Sequence, residues 1–222
     1  MGLPVLVIGE SGTGKSASLR NFKRSEVALI NVAGKPLPFK SDLAMLKTDD
    51  YGNIARALLK MKTMSAVIDD AQYLLANEFM RRASEKGYDK FTDIAKNYWT
   101  LITDTVVRKM PENKIVYFLS HLERDQNGNE KVKTIGKLLD EKISVEGLFT
   151  IVLKTHVEDG KYYFTTHNSG FDTVKSPIGM FDDDLIDNDL KAVDDVIRAY
   201  YDMEVPNVTE KSETIENKEE SK

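Results

Sequence analysis

Short apolar runs alternate along the chain with segments in which apolar residues recur at helical spacing. Runs at residues 3–8, 27–32, 65–68 and 115–119 have the length and composition of buried strands. Strands that alternate with helices are typical of a parallel sheet covered by helices on its faces. The pattern therefore predicts an α/β fold.

The helical segments are predicted from their apolar faces and their end signals. Residues 16–22 read as the start of a helix, and Asp50 can cap a helix whose apolar positions are Ile54, Ala57, Leu58 and Met61. A long helix is predicted over residues 91–110, before Pro111, with one face formed by Phe91, Ile94, Tyr98, Leu101, Ile102, Thr105 and Val106. A last helix carries the stripe Ile186, Leu190, Val193, Ile197 and Tyr200.

Two strand-like segments near the end of the chain predict a hairpin. Residues 148–154 and 161–166 flank the turn sequence Glu158-Asp159-Gly160. We therefore expect a mostly parallel sheet flanked by helices, with antiparallel strands at one edge. Residues 204–222 are rich in Glu, Lys, Ser and Thr, and we expect a disordered acidic tail after a single domain at residues 1–203.

Composition narrows the function classes only modestly. The 222 residues have a net charge of −5, and the near-neutral body gives no electrostatic footprint for nucleic acid. Cysteine is absent, which excludes disulfides, thiolate metal sites and a Cys nucleophile. No apolar run approaches the roughly 20 residues of a membrane span, and no signal peptide is recognisable. We expect a cytoplasmic protein with no membrane partner.

One motif carries specific chemistry. Residues 9–16 read GESGTGKS and match G-x-x-x-x-G-K-[ST], the P-loop pattern, directly after an apolar strand. Glycines let backbone N–H groups approach phosphate oxygens, and the helix that follows favours anions. Lys15 would bridge the β- and γ-phosphates of ATP, and the Ser16 hydroxyl would bind Mg²⁺. The expected nucleotide contacts are Gly9, Glu10, Ser11, Gly12, Thr13, Gly14, Lys15, Ser16 and Ala17.

A second strand ends in two carboxylates. Residues 64–70 read MSAVIDD, an arrangement in which Asp69 would hold the Mg²⁺ shell and Asp70 would orient or deprotonate the attacking water. The alternative is that Asp69 or Asp70 merely caps the helix that begins near Ala71. Asp49 and Asp50 could supply a carboxylate instead, although helix capping suits them better.

The strand at residues 115–119 is followed by Ser120 and His121, which could sense the γ-phosphate because strand carboxyl ends face the ligand crevice. Residues 122–137 form a polar loop with an Asn-Gly turn signal, which is interpreted as either a DNA- or partner-binding loop or a solvated hairpin. The acidic residues Asp182, Asp183, Asp184, Asp187 and Asp189 lack calcium-loop spacing, and we expect them to favour a helix N-terminus.

Taken with the stretches at residues 134–137, 175–177 and 179–181, these motifs resemble phage-encoded RecA-like ATP-binding proteins of the P-loop NTPase class over about residues 1–203. The resemblance implies a RecA-like core that hydrolyses ATP with Mg²⁺ in the host cytoplasm. It further implies a homo-oligomer that acts in recombination or replication on single-stranded DNA, together with a single-strand-binding protein. Lys15, Asp70 and His121 would be the catalytic residues.

The chain departs from that family at one position. RecA-like enzymes usually place a catalytic Glu after the second core strand, where residues 32–35 offer no acid, and this raises Asp70 as the base. Lys175 lies where such oligomers insert a basic residue into the neighbouring site. Two alternatives are a nucleotide-dependent binding module, such as a helicase loader, and a small-molecule or nucleotide kinase. A kinase would want an arginine-rich lid, for which Arg81 and Arg82 are the only adjacent pair.

Overall fold

A computed structural model describes residues 1–203, apart from the side chains of residues 140 and 141. Its sheet has eight strands in the order β3-β2-β4-β5-β1-β7-β8-β9, and a further strand, β6, pairs with the end of β5. The strands are β1 (Leu3–Gly9), β2 (Val27–Asn31), β3 (Met45–Lys47), β4 (Ser65–Asp69), β5 (Ile115–Arg124), β6 (Glu130–Val132), β7 (Ile151–Glu158), β8 (Lys161–Thr165) and β9 (Leu185–Asp187). The predicted tail at residues 204–222 lies outside the described residues.

In the sheet order given above, the six strands from β3 to β7 are parallel to one another. β8 and β9 continue the sheet at one edge as antiparallel strands. The predicted α/β architecture, with a mostly parallel sheet flanked by helices, is therefore confirmed. The hairpin between β7 and β8 turns at residues 158–161, where Asp159 and Gly160 both adopt positive φ.

In the part of the chain that the structure describes, four α-helices flank the sheet: α1 (Tyr51–Lys60), α2 (Tyr73–Arg81), α3 (Asp89–Thr100) and α4 (Leu190–Tyr200). The apolar faces of α1, α2 and α3 pack on one side of the sheet, with Ile54, Leu74 and Ile94 fully buried. The other side is covered by α4 and by a short turn of 3₁₀ helix at Ser16–Asn21.

Several predicted elements have different limits in the structure. The helix that follows the glycine-rich loop is only the six-residue 3₁₀ turn, so it supplies fewer aligned peptide dipoles than an α-helix would. The long helix is α3 followed by a π-helical segment, Leu101–Lys109, whose buried side still includes Ile102, Thr105 and Val106. The stripe expected for the last helix begins at Leu190, because Ile186 belongs to β9.

Capping explains where α1 and α4 begin. The Asp50 side chain accepts a hydrogen bond from the Asn53 N–H at 2.7 Å, as predicted. Asp189 does the same for α4, where its Oδ1 accepts from the N–H groups of Lys191 and Ala192. Among residues 1–203, no helix combines the length and apolar character needed to cross a bilayer.

Candidate functional site

The carboxyl ends of the parallel strands bring the predicted site residues to one edge of the sheet. Gly9, the last residue of β1, lies opposite His121 of β5, and Asp69 ends β4 opposite Asn31 of β2. Because β5 lies between β1 and β4, the glycine-rich loop after β1 approaches Asp69 across the end of β5. The fold thus gathers residues from four separate parts of the chain.

Close packing explains two of the glycines in the loop. A Cβ on Gly9 would lie 1.8 Å from the Thr155 Oγ1, a distance that no real contact allows. Gly14 has φ +96°, and its Cβ would come within 2.9 Å of the Tyr162 ring. The loop therefore presses its backbone against β7 and β8 on one side, which leaves its other side to face a ligand.

Lys15 is almost fully buried inside the loop. Its Nζ donates hydrogen bonds to the carbonyl oxygens of Gly9 at 2.8 Å and Glu10 at 2.7 Å. Burial lowers the pKa of Lys15 from its ordinary 10.5 to about 8, while the charges of Asp70 and Asp69 oppose that shift. An ammonium has three N–H donors, so one remains to meet an anion at the loop.

Ser16 and Asp69 are 53 residues apart in sequence and meet directly in the structure. The Ser16 hydroxyl donates to the Asp69 Oδ1 at 2.9 Å. Burial raises the pKa of Asp69 and the hydrogen bond from Ser16 lowers it, the burial effect being the larger. A hydroxyl and a carboxylate are oxygen ligands of the kind Mg²⁺ prefers, so this pair could hold that ion. Ala17, the next residue, continues the 3₁₀ turn.

Asp70 adopts a left-handed conformation with φ +59°, which is uncommon for a residue other than glycine. Its carboxylate lies 3.3 Å from the Lys35 Nζ and 3.6 Å from the His121 Nε2. The contact with His121 is the largest cause that lowers the pKa of Asp70, and the charge of Lys35 adds to it. Backbone strain of this kind is often found at functional sites.

The alternative role for Asp70, as a helix cap, is not what the structure has. Helix α2 begins at Tyr73, the residue before it is Gln72, and no side chain caps its first turn. Of the two residues predicted at the end of β5, Ser120 is fully buried. His121 is partly exposed at the sheet edge, where its ring meets the Tyr73 ring edge to face at 6.3 Å.

The other carboxylates considered from the sequence serve the fold. Asp49 binds Asn77 at 2.8 Å and forms an ion pair with Arg81 of α2, so the expectation that it caps a helix is wrong. Asp182, Asp183 and Asp184 are exposed, and within residues 1–203 no group of three potential ligands is close enough to hold a metal ion. Lys175 pairs with Val152 through its backbone, which extends the sheet beside β7.

Residues 122–137 are largely a hairpin. β5 continues to Arg124 and pairs with β6, so that Leu122 faces Val132 and Glu123 faces Lys131. The Lys131 Nζ lies 3.5 Å from the Glu123 carboxylate. Arg124 joins the hairpin to the glycine-rich loop, because its guanidinium contacts both Glu10 at 3.0 Å and Glu130 at 2.9 Å.

Sequence reasoning missed three contacts at this edge: Lys35 with Asp70, Arg124 with Glu10, and Thr155 with the loop. The Thr155 hydroxyl lies 2.6 Å from the Thr13 hydroxyl and 3.4 Å from the Ile8 carbonyl. Thr155 lies in β7 but just beyond the strand predicted at residues 148–154, and its contact with the loop depends on the strand order. Nothing in the sequence pairs Lys35 or Arg124 with its partner.

Comparison with known proteins adds no family assignment. No protein-family model matches the chain, and no curated protein is significantly similar to it.

Proposed function

We propose that this chain is a P-loop ATPase with a RecA-like core, which binds ATP and Mg²⁺ at residues 9–17 and hydrolyses the γ-phosphate. The observation that carries the proposal is the 2.9 Å hydrogen bond between Ser16 and Asp69. A phosphate-binding loop and a magnesium carboxylate must lie side by side for a metal ion to bridge the β- and γ-phosphates.

The proposed roles follow from position and charge. Lys15 neutralises charge on the β- and γ-phosphates, with its ammonium already held by the Gly9 and Glu10 carbonyls. Ser16 and Asp69 would hold Mg²⁺, which polarises the γ-phosphoryl group when bound. Asp70 orients the attacking water or accepts a proton from it, and the orienting role suits it better, because its lowered pKa makes the carboxylate a weaker base. His121 lies beside Asp70 and would hydrogen-bond the γ-phosphate.

We further propose that the ATPase acts on single-stranded DNA with a single-strand-binding protein, as a homo-oligomer in phage recombination or replication within the host cytoplasm. This part rests on the resemblance described above. A helicase loader of the AAA+ type would want a helical lid domain after the core. In the described residues, β7 is followed by β8, β9 and the single helix α4, which does not favour a loader.

ATP turnover, measured with and without single-stranded DNA, tests the proposal. We expect Mg²⁺-dependent release of phosphate that DNA stimulates, and we expect Lys15→Ala to abolish it while circular dichroism stays unchanged. Turnover like that of the unmodified protein in Lys15→Ala would overturn the site assignment. Nucleotide binding without turnover would favour a binding module, and phosphoryl transfer to a small acceptor would favour a kinase.

A further inference from the structure

A cavity of about 310 Å³ opens beside the first residues of the glycine-rich loop. We call it the side cavity. Glu10 and Ser11 form one wall, Gln72 at the start of α2 forms another, and His121, Lys133 and Thr134 close it from the β5–β6 side. None of the catalytic roles proposed above uses Gln72, Lys133 or Thr134.

Two residues of this cavity carry buried polar atoms without a partner. The Gln72 Oε1 accepts a hydrogen bond from the His121 N–H at 3.1 Å, and this fixes which end of the amide is the oxygen. The Gln72 Nε2 and the Thr134 Oγ1 then have no hydrogen-bond partner. Leaving buried donors unpaired costs free energy, which a ligand with acceptor atoms would restore.

The polar groups of the side-cavity lining favour an anion, beside an apolar part formed by Tyr73, Ala76, Leu122 and Ile135. The amide nitrogen of Gln72 can only donate, the Thr134 hydroxyl can donate, and the Lys133 ammonium is positive. Glu10, which lines the cavity, is paired with Arg124 at 3.0 Å, and Asp70, next to His121 of the lining, is paired with Lys35 at 3.3 Å. A backbone hydrogen bond from the Lys133 N–H to the His121 carbonyl, at 2.8 Å, holds this wall against β5.

We infer that the side cavity binds inorganic phosphate, the product that leaves the nucleotide after hydrolysis. The inference rests on the proposed function, because that reaction supplies the phosphate. Glu10 and Ser11 belong both to the glycine-rich loop and to the cavity wall, so the product crosses a single loop to reach it. The cavity is wider than a bare phosphate, which lets the ion enter with part of its hydration shell.

Equilibrium dialysis of ³²P-labelled phosphate against the full chain tests this site, with and without saturating ADP and Mg²⁺. Gln72→Glu keeps the acceptor for the His121 N–H and replaces the amide donor with a negative oxygen. Thr134→Val removes the hydroxyl at nearly constant volume. Thr103→Val is the matched control, because it makes the same substitution outside the cavity lining. Thr103 lies on the π-helical segment, and its hydroxyl donates to the Trp99 carbonyl of α3. Titration of every variant with fluorescent ADP measures nucleotide binding at the glycine-rich loop separately from phosphate binding in the side cavity.

We expect one phosphate to bind per chain in the presence of ADP. Its affinity should fall at least tenfold in Gln72→Glu and in Thr134→Val, and it should not change in Thr103→Val. The inference is overturned if the unmodified protein does not bind phosphate. It is also overturned if both cavity variants bind phosphate with the affinity of the unmodified protein. Phosphate binding that Lys15→Ala abolishes in the absence of ADP overturns it too, since the ion would then sit on the glycine-rich loop. If the unmodified protein does not bind ADP but the cavity variants still bind phosphate more weakly than it does, the proposed function is overturned and the phosphate site in the side cavity is supported.

Discussion

Lys15 is a buried cation, and its titration couples pH to both ligand binding and folding. Its pKa of about 8 in the folded protein lies below the ordinary 10.5 because burial penalises the charged form. The unfolded chain therefore binds more protons than the folded chain between these two values. By linkage, the Lys15 contribution to the free energy of unfolding rises as the pH increases from about 8 to 10.5.

Nucleotide affinity should respond to pH in the opposite direction. Only the protonated Lys15 attracts phosphate, so the affinity for ADP should fall by up to about tenfold per pH unit above pH 8. Fluorescent ADP titrations between pH 7 and 9.5 measure this slope. Arginine stays protonated throughout that range, and Lys15→Arg should therefore bind more weakly but with a flatter profile. An equally steep profile in Lys15→Arg would assign the titration to another group.

Asp69 and Asp70 are adjacent, yet their surroundings predict different losses of function. Asp69→Asn removes a charge next to Ser16 and should weaken Mg²⁺-dependent nucleotide binding. Asp70→Asn should leave binding intact and slow hydrolysis by roughly 10²-fold or more, the usual contribution of a general base. Nucleotide titrations with and without Mg²⁺, beside single-turnover hydrolysis, separate the two effects. Normal hydrolysis by Asp70→Asn would place the base elsewhere.

At the scale of single residues, sequence reasoning works where spacing carries the chemistry. The proximity of Ser16 and Asp69 could be predicted because a glycine-rich loop and a strand that ends in Asp are local patterns. Lys35 could not, because its contact with Asp70 depends on how the chain returns after β2 and on the left-handed backbone of Asp70. Those are properties of the folded chain.

Among the elements, the β5–β6 hairpin agrees with one of the two interpretations of residues 122–137, although the sequence marks its strands weakly. Its strands carry only isolated apolar positions, such as Leu122 and Val132, so the alternation that identifies a strand is weak. β3 has only three residues, which is too short for a periodic pattern to identify a strand. The hairpin tip is a tight turn in which Gly128 has φ +83°, in agreement with the Asn-Gly signal.

The hairpin and the residues after it also carry the prediction for DNA. Replacing Lys131, Lys133 and Lys137 by Ala removes three charges that could neutralise a phosphate backbone. Single-stranded DNA binding should weaken. The slope of log affinity against log salt concentration should become shallower by up to about two to three units, because binding releases fewer counterions once the three contacts are lost. Fluorescence anisotropy at several salt concentrations measures both quantities.

A charge-matched variant controls for the loss of net charge. Lys86, Lys96 and Lys109 are exposed residues in the α2–α3 loop, in α3 and in the π-helical segment, and their replacement by Ala removes the same charge away from the hairpin. Equal loss of DNA affinity in both triple variants would show that the hairpin is not a specific contact. No DNA binding by the unmodified protein with ATP and Mg²⁺, alone or with a single-strand-binding protein, would contradict the recombinase proposal.

For the molecule as a whole, a buried polar cluster joins α4 to the sheet. The Arg198 guanidinium donates to the Asp194 carboxylate at 2.7 Å and to the Ser65 hydroxyl, and the Tyr117 hydroxyl donates to Asp194 at 2.9 Å. A further bond from Arg198 reaches the Asn113 carbonyl at 3.0 Å. A buried charge that loses its partner destabilises a protein far more than an exposed one does.

Asp194→Leu should therefore lower the free energy of unfolding by about 3–5 kcal/mol, because Arg198 stays buried without its counter-ion. For a protein of this size, the corresponding fall in Tm is roughly 6–20 °C. The double variant Asp194→Leu/Arg198→Met should recover much of that loss. Asp195→Leu is the control, since Asp195 pairs with Lys191 at the surface and should cost about 1 kcal/mol or less. Urea denaturation distinguishes these outcomes.

The order of the strands is the part of the fold that sequence reasoning could not supply. Alternating strands and helices indicate a parallel sheet, but any of several orders would bury the same apolar runs. The position of β5 between β1 and β4 decides that His121 meets Asp70 and that the glycine-rich loop meets Asp69. Positions along the chain fix the candidate residues, and the sheet order fixes which of them are neighbours.

That central position of β5 also bears on how the protein is synthesised. Among residues 1–203, β1 pairs only with β5 and β7, and Leu3 lies opposite Ile115 in the register. Before the ribosome reaches Ile115, the apolar strand β1 has neither neighbour, and contacts this far apart in sequence form slowly. Until β5 emerges, β1 is an unpaired edge open to aggregation or to a chaperone. The glycine-rich loop can take its shape only when most of the chain has been translated.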